Sequence, residues 1–253
     1  MREDFHGLPC WYELTTPDPA RDGAFYSAVL GWDWDHSPME GMDYAVARMN
    51  GAMVAGMMAP PDPGIPPNWL IYFAISDCDA TVSAMVADGA TLLMPPADIP
   101  GTGRFAVLTD PQGAAFALLR PLPGGAGAAF DQTRAGHGNW HELTTPDPVA
   151  AVAFYARHLG LGEVQAMDMG PMGHYHILGC GDRQIGGAMR APVPDLPPFW
   201  MPYFGVDGVE AALARLTAAG GSVQHGPADV PGGAVIVQAR DPRGAWFAVV
   251  GPR

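Results

Sequence analysis

Residues 11–19 read W-Y-E-L-T-T-P-D-P, and residues 140–148 read W-H-E-L-T-T-P-D-P, nearly the same nonapeptide 129 positions further on. Beyond it the offset becomes 131. Asn68-Trp69 answers Phe199-Trp200, and Gly89, Pro100 and Asp110-Pro111 answer Gly220, Pro231 and Asp241-Pro242. A repeat this long in a 253-residue chain predicts two homologous halves in tandem. The expected division is a first domain over 1–122, a linker over 123–136 and a second domain over 137–253.

The residues around the nonapeptide set the local structure. A strand over Cys10–Thr15, and its copy over Asn139–Thr144, runs into Thr-Pro-Asp-Pro. Asp18 and Asp147 suit helix N-caps, with Pro19 and Pro148 at the first helical position. Phe25, Tyr26, Val29 and Leu30, and then Phe154, Tyr155 and Leu159, fall at helical spacing, and Gly31 and Gly160 stop each helix. Three strands follow, around 32–35, 44–49 and 52–58. The same order restarts within the half: strand 69–75, helix 80–88 ended by Gly89, and three strands to Leu119. Asp110-Pro-Gln-Gly113 and Asp241-Pro-Arg-Gly244 read as type I turns between the last two strands of each half. Pro121-Leu-Pro-Gly-Gly-Ala-Gly127 reads as a linker, loosely ordered to about Gly136. Four βαβββ modules in two pairs result, an α+β chain.

Composition narrows the function. The chain is 48% hydrophobic, enough for a core in each half. No apolar stretch is long enough for a membrane span, and no basic-then-apolar leader is evident. Cys10, Cys78 and Cys180 are odd in number and widely spaced, which suits a reducing cytoplasm rather than a disulfide framework or zinc ribbon. A formal charge of −13 disfavours nucleic acid or an anionic membrane as partner, and solubility accounts for it.

The opening strand-Asp-helix-F-Y-x-x-x-L-G and the closing D-P-x-G before a final apolar strand, present twice, resemble the vicinal oxygen chelate superfamily. That superfamily includes glyoxalase I, extradiol dioxygenases and bleomycin-resistance proteins. The chain is similar in particular to tandem-domain, glyoxalase-like bacterial proteins whose halves begin W-x-E-L-x-T-x-D-P. The resemblance implies tandem glyoxalase-like domains, with curved mixed sheets around a cavity and helices outside.

It also implies where a divalent metal would be held in the metalloenzymes. The first ligand, a His three residues before the Leu of the opening strand, falls on Trp11 and Trp140. The last, a Glu four residues after the Gly of D-P-x-G, falls on Ala117 and Ala248. The intermediate positions hold Gly56 or Met57 and Leu70 or Ile71, then Gly187 or Ala188 and Met201. None of these supplies the oxygen or imidazole that Mg²⁺, Zn²⁺, Ni²⁺ or Fe²⁺ requires, so no metal cofactor is expected.

Strand alternation places Trp11, Glu13 and Thr15 on the face where the ligand would have pointed, and Trp140, Glu142 and Thr144 likewise. Tyr12, Leu14 and His141 turn to the helix side. Glu13 and Glu142 are candidate general bases or ligand-bonding acids; the alternative is that each pins its strand. Tyr44/Tyr175, Trp69/Trp200 and Tyr72/Tyr203 match in register and suit a planar or apolar ligand, or else core packing. His174 and His176, two apart on a strand, form an alternative metal pair, with Glu142 as third ligand. Methionines over 39–58 and prolines over 60–67 and 192–198 suggest gap-filling and a rigid loop over a cavity mouth.

The expected function is a metal-independent small-molecule-binding protein for an apolar or aromatic metabolite. The alternative is a lyase, isomerase or epimerase using Glu13 or Glu142 as base, or a relocated metal at His174/His176. A collapsed, purely structural role is a third class. Paired halves make a monomer plausible beside a homodimer.

Overall fold

A computed structural model describes residues 4–37, 43–124, 127–193 and 196–253, without the side chains of 36 and 37. The methionines at 39 and 42 and the proline at 194 lie outside the described residues.

The chain is α+β. In the first half the elements are β1 (Pro9–Thr15), α1 (Pro19–Leu30), β2 (Asp33–Ser37), β3 (Tyr44–Met49) and β4 (Ala52–Met58). They continue as β5 (Asn68–Ala74), α2 (Cys78–Ala87), β6 (Thr91–Ile99), β7 (Gly103–Thr109) and β8 (Ala115–Pro121). The second half repeats them as β9 (Gly138–Thr145), α3 (Pro148–Leu159), β10 (Gly162–Asp168), β11 (His174–Cys180) and β12 (Arg183–Arg190). It closes with β13 (Phe199–Gly205), α4 (Val209–Ala218), β14 (Ser222–Asp229), β15 (Val235–Arg240) and β16 (Trp246–Gly251). Each half forms one eight-stranded mixed sheet, in the orders β2-β3-β4-β1-β5-β8-β7-β6 and β10-β11-β12-β9-β13-β16-β15-β14. Strands joined by hairpins pair antiparallel, whereas β1 pairs β4 and β5 pairs β8 in parallel, because a crossover helix separates the members of each module.

The predicted helix signals act as read. The Asp18 and Asp147 carboxylates accept from Arg21 N and Ala150 N, satisfying donors that the first helical turn leaves open. Gly31 and Gly160 close the helices at φ 76° and 75°, a left-handed geometry that a Cβ would strain. Helix α2 begins two residues earlier than the apolar spacing suggests, because the Asp77 side chain accepts from Ala80 N and caps the turn there.

Strand pairing follows the sequence halves, but compactness does not. One compact unit comprises 1–10, 71–127 and 140–200; the other comprises 11–70, 128–139 and 201–253. Each unit thus joins one βαβββ module from the first half to one from the second. In the unit that includes 11–70, α1 packs on α4; in the other, α2 packs on α3.

A buried hydrogen-bonded trio stands at the centre of each unit. Trp69 Nε1 donates to Tyr26 Oη at 2.9 Å, and Tyr26 donates to Asp241 Oδ2 at 3.0 Å. The other unit repeats this with Trp200, Tyr155 and Asp110, at 2.9 and 3.1 Å. The remaining Asp oxygen accepts two backbone amides of its own D-P-x-G turn, from Arg243 and Ala245, or from Gln112 and Ala114. The two motifs that repeat most clearly in the sequence therefore meet each other, the helix from one half and the turn from the other. Burial pushes the Tyr26 and Tyr155 hydroxyls well above the ordinary tyrosine range, and raises the Asp110 and Asp241 carboxyls as well.

The segment expected to be loosely ordered to Gly136 is built into a unit. The Trp32 indole, 1% exposed, donates to Gly136 O at 2.7 Å, and Gly136 N donates to Gly205 O. The Asp131 carboxylate accepts from Thr133 N and Oγ1 in a local turn, and Gly136 takes φ 74°. A buried indole needs a partner for its N–H, and this carbonyl supplies one.

Candidate functional site

On β1 the two faces separate as alternation requires. Tyr12 and Leu14 are fully buried, and Tyr12 packs edge-on to Phe204 at 5.4 Å. Trp11 and Glu13 lie on the other face, and there Tyr44 from β3 joins them. Trp11 Nε1 donates to Tyr44 Oη at 2.9 Å, and Tyr44 donates to Glu13 Oε2 at 2.9 Å. Register explains the meeting: Glu13 pairs with Gly56 of β4, and Gly56 pairs with Val46, two residues from Tyr44 on the same face. The tyrosine ring reaches across β4 only because Gly56 has no side chain. A Cβ there would stand 1.8 Å from Tyr44 Oη and 2.3 Å from Cζ.

The other unit repeats the assembly. Trp140 Nε1 donates to Tyr175 Oη at 2.8 Å, Tyr175 hydrogen-bonds Glu142, and Gly187 pairs with Glu142. A Cβ at Gly187 would meet the Tyr175 ring at 2.2 Å. The copies differ in depth: Glu142 is 6% exposed, whereas Glu13 is partly exposed. Desolvation first, and the neighbouring carboxylate second, hold both tyrosine hydroxyls well above their ordinary range. Each assembly is therefore a protonated phenol that donates to a carboxylate and accepts from an indole.

The other aromatic positions separate from this pair of assemblies. Trp69 and Trp200 are 5% and 2% exposed and belong to the buried trios of the core. Tyr72 stacks on Phe105 at 6.4 Å and Tyr203 accepts from Gln238 Nε2 at 2.7 Å; both are buried. Tyr72 pairs with Ala117 and Tyr203 with Ala248, so each tyrosine stands beside the alanine at the last position of the family's metal set.

His174 and His176 share a face of β11, with ring centroids 6.3 Å apart. Glu142 does not join them, because it bonds Tyr175, whose side chain leaves the opposite face of the same strand. His176 Nδ1 instead meets the Glu163 carboxylate of β10. The positions where the resemblance places metal ligands include Trp11, Gly56 or Met57, and Ala117 in one copy, and Trp140, Gly187 or Ala188, and Ala248 in the other. An indole N–H donates rather than ligates, and glycine and alanine supply nothing. Among the described residues, no three His, Cys, Asp or Glu side chains gather into a metal-holding group.

His141 is fully buried beside Trp140, with Nδ1 against Ile185 O. Burial lowers its pKa to about 4, so the ring stays neutral there. The tyrosine–glycine crossings went unread in the sequence. The signal was present, since Tyr44/Gly56 and Tyr175/Gly187 recur at one offset, but only strand register shows which residue faces which.

The profile of the Glyoxalase/Bleomycin resistance protein/Dioxygenase superfamily matches residues 10–118 and 136–249. The chain belongs to that superfamily. It is 38% identical over 251 residues to CFP32 of Mycobacterium tuberculosis (strain CDC 1551 / Oshkosh), provisionally named a glyoxylase, covering 97% of this chain and 95% of that one. It is 34% identical over 265 residues to the anthracycline biosynthesis protein DnrV of Streptomyces peucetius, covering 96% and 93%. Among solved structures, the Mn(II)-bound glyoxalase of Novosphingobium aromaticivorans superposes with TM-score 0.69 at 17% identity, over 99% of this chain and 83% of that one. The 2,3-dioxygenase LapB of Pseudomonas sp. KL28 gives 0.67 at 14%, over 96% and 91%. These last two likenesses concern the fold alone. No helix among the described residues is long and apolar enough to cross a membrane.

Proposed function

We propose that this chain is a cytoplasmic, glyoxalase-like small-molecule-binding protein that works without the superfamily's metal, receiving an apolar or aromatic metabolite against its Trp–Tyr–Glu assemblies. One observation carries the reading. Trp11 and Trp140 stand where the resemblance puts the first metal ligand, and a tyrosine lies across Gly56 or Gly187 to bond the indole and the carboxylate. Both copies keep this arrangement, which suits a flat ring stacking on indole and phenol, with the carboxylate accepting a hydroxyl or amine proton. The relative named for anthracycline biosynthesis adds weight, since anthracyclines are planar fused-ring aromatics bearing hydroxyl groups.

The more buried Glu142 supports a second reading, in which it abstracts a proton next to a carbonyl in isomerase, epimerase or lyase chemistry. Two measurements separate the alternatives. Elemental mass spectrometry of tag-free protein, before and after incubation with Ni²⁺, Zn²⁺, Mn²⁺ and Fe²⁺, should find no stoichiometric metal. Fluorescence titration with hydroxylated polycyclic aromatics should show binding that weakens in Tyr175→Phe and Trp140→Ala. About one metal per chain, held by His174 and His176, would overturn the metal-free reading. Turnover abolished by Glu142→Gln would convert the binder into the enzyme.

A further inference from the structure

The closing hairpin of the second half, β15 and β16, carries on one face a group of side chains that the core trios and the Trp–Tyr–Glu assemblies do not use. Register defines the face. Gln238 and Arg240 stand two apart on β15, where they pair with Ala248 and Trp246 of β16. Ala248 pairs in turn with Tyr203 of β13. Across this face Gln238 Nε2 donates to the Tyr203 hydroxyl at 2.7 Å, and the guanidinium carbon of Arg240 lies 4.5 Å from the centre of the Trp246 ring. All five residues belong to the compact unit that includes 201–253.

Arg240 stands apart from the other arginines. Acidic side chains outnumber Lys and Arg by 26 to 13, so a cation in this chain finds an acceptor easily. Arg48, Arg104, Arg157, Arg243 and Arg253 each pair with an aspartate, and Arg120 and Arg215 donate to carbonyls. The Nε of Arg240 is instead buried with no hydrogen-bond partner, and among the described residues no carboxylate or carbonyl takes a bond from its guanidinium. A buried donor in that condition is unfavourable until an acceptor reaches it. Stacking on the indole fixes the plane of the guanidinium, so its donors are oriented before any ligand arrives.

The repeat shows that the fold does not need this cation. Arg240, Gln238 and Trp246 answer Thr109, Val107 and Ala115, 131 residues earlier, while the tyrosine is kept at 72 and 203. Thr109 pairs with Ala115 just as Arg240 pairs with Trp246, so the strands align alike with or without the charge. In the first half Tyr72 stacks on Phe105, and the face is apolar. Approach to Arg240 is from the sheet edge: its partner on the edge strand β14 is Ser222, small and exposed.

We infer that Arg240, with Gln238 beside it, anchors the carboxylate of an organic anion, and that this anchor exists in the second half only. The planar guanidinium matches the two oxygens of a carboxylate, and the half-buried Trp246 offers apolar surface beside it, which favours an aromatic carboxylate over a small one. The anchor shares no residue with either Trp–Tyr–Glu assembly, so it stands or falls apart from the metal-free reading.

The test is calorimetric titration of the full chain with 2-naphthoate, and with the neutral 2-naphthamide for comparison. The carboxylate should bind, and the amide at least tenfold more weakly. Arg240→Thr, which installs the residue of the first half, should weaken naphthoate binding about tenfold or more, the scale of a charge-assisted hydrogen bond. Arg240→Lys, which keeps the charge and loses the planar fork, should weaken it severalfold. Arg253→Thr removes a surface cation of equal charge and should change nothing. If circular dichroism shows Arg240→Thr unfolded, Arg240→Lys and protection of Arg240 from phenylglyoxal by naphthoate, mapped by mass spectrometry, carry the test. Absence of naphthoate binding at millimolar concentration, equal binding of the amide, or indifference to the Arg240 variants would each overturn the assignment. Displacement of naphthoate by an equal concentration of sulfate would overturn the carboxylate class.

Discussion

Gly56→Ala is the sharpest probe of the candidate site, because it adds one carbon and touches one residue. The three atoms nearest to an added Cβ all belong to Tyr44, the closest at 1.8 Å. Gly56 has no positive φ, so the strand itself accepts alanine. The ring must swing away, losing the bond from Trp11 and the bond to Glu13, each 2.9 Å long. A neutral hydrogen bond contributes about 0.5–1.5 kcal/mol and one to a charged group about 1.5–3. Both lie in a partly exposed cluster, so we expect a total near 2–3 kcal/mol, or a melting temperature lower by about 4–12 °C in a chain of this size. The decisive measurement is a double-mutant cycle by urea unfolding. In a Tyr44→Ala background the same Gly56→Ala change meets nothing, and should be neutral or stabilising by about 0.5 kcal/mol through the lower backbone entropy of alanine. An equal loss in both backgrounds would refute the argument that Gly56 exists to admit the tyrosine.

Three further outcomes follow from the same geometry. Tyr155→Phe leaves the Trp200 N–H without its acceptor and Asp110 Oδ2 without this donor, both in the core, so urea unfolding should show a loss of about 2–4 kcal/mol. His141 titrates near 4 when folded against 6.5 in its reference state, so the unfolded chain binds the proton first. Its contribution is therefore complete above pH 6.5 and declines by about 3 kcal/mol as the pH falls to 4, and His141→Gln should flatten the stability profile across that window. Gly187→Ala and Gly56→Ala should each impair the proposed ligand binding by their own assembly, read by fluorescence titration, and unchanged affinity in both would detach the assemblies from binding.

The sequence by itself determined a good deal. Local rules require no tertiary partner, so the caps at Asp18 and Asp147, the left-handed stops at Gly31 and Gly160 and the alternating faces of β1 were legible in the chain. The repeat offsets and the strand-helix order carried the fold class. Only the tertiary structure decided which repeats share a compact unit. Burying Tyr26 requires a partner for its hydroxyl, and that partner, Asp241, stands 215 residues away in the other half. Trp69 and Trp200 recur in register just as Trp11 and Trp140 do, yet two enter the core and two stay on the sheet face with Tyr44 and Tyr175. Which way an aromatic turns depends on strand pairing and on the side chain that is missing opposite it. Periodicity along one segment holds neither fact; a glycine on the neighbouring strand, placed by hydrogen-bond register, holds both.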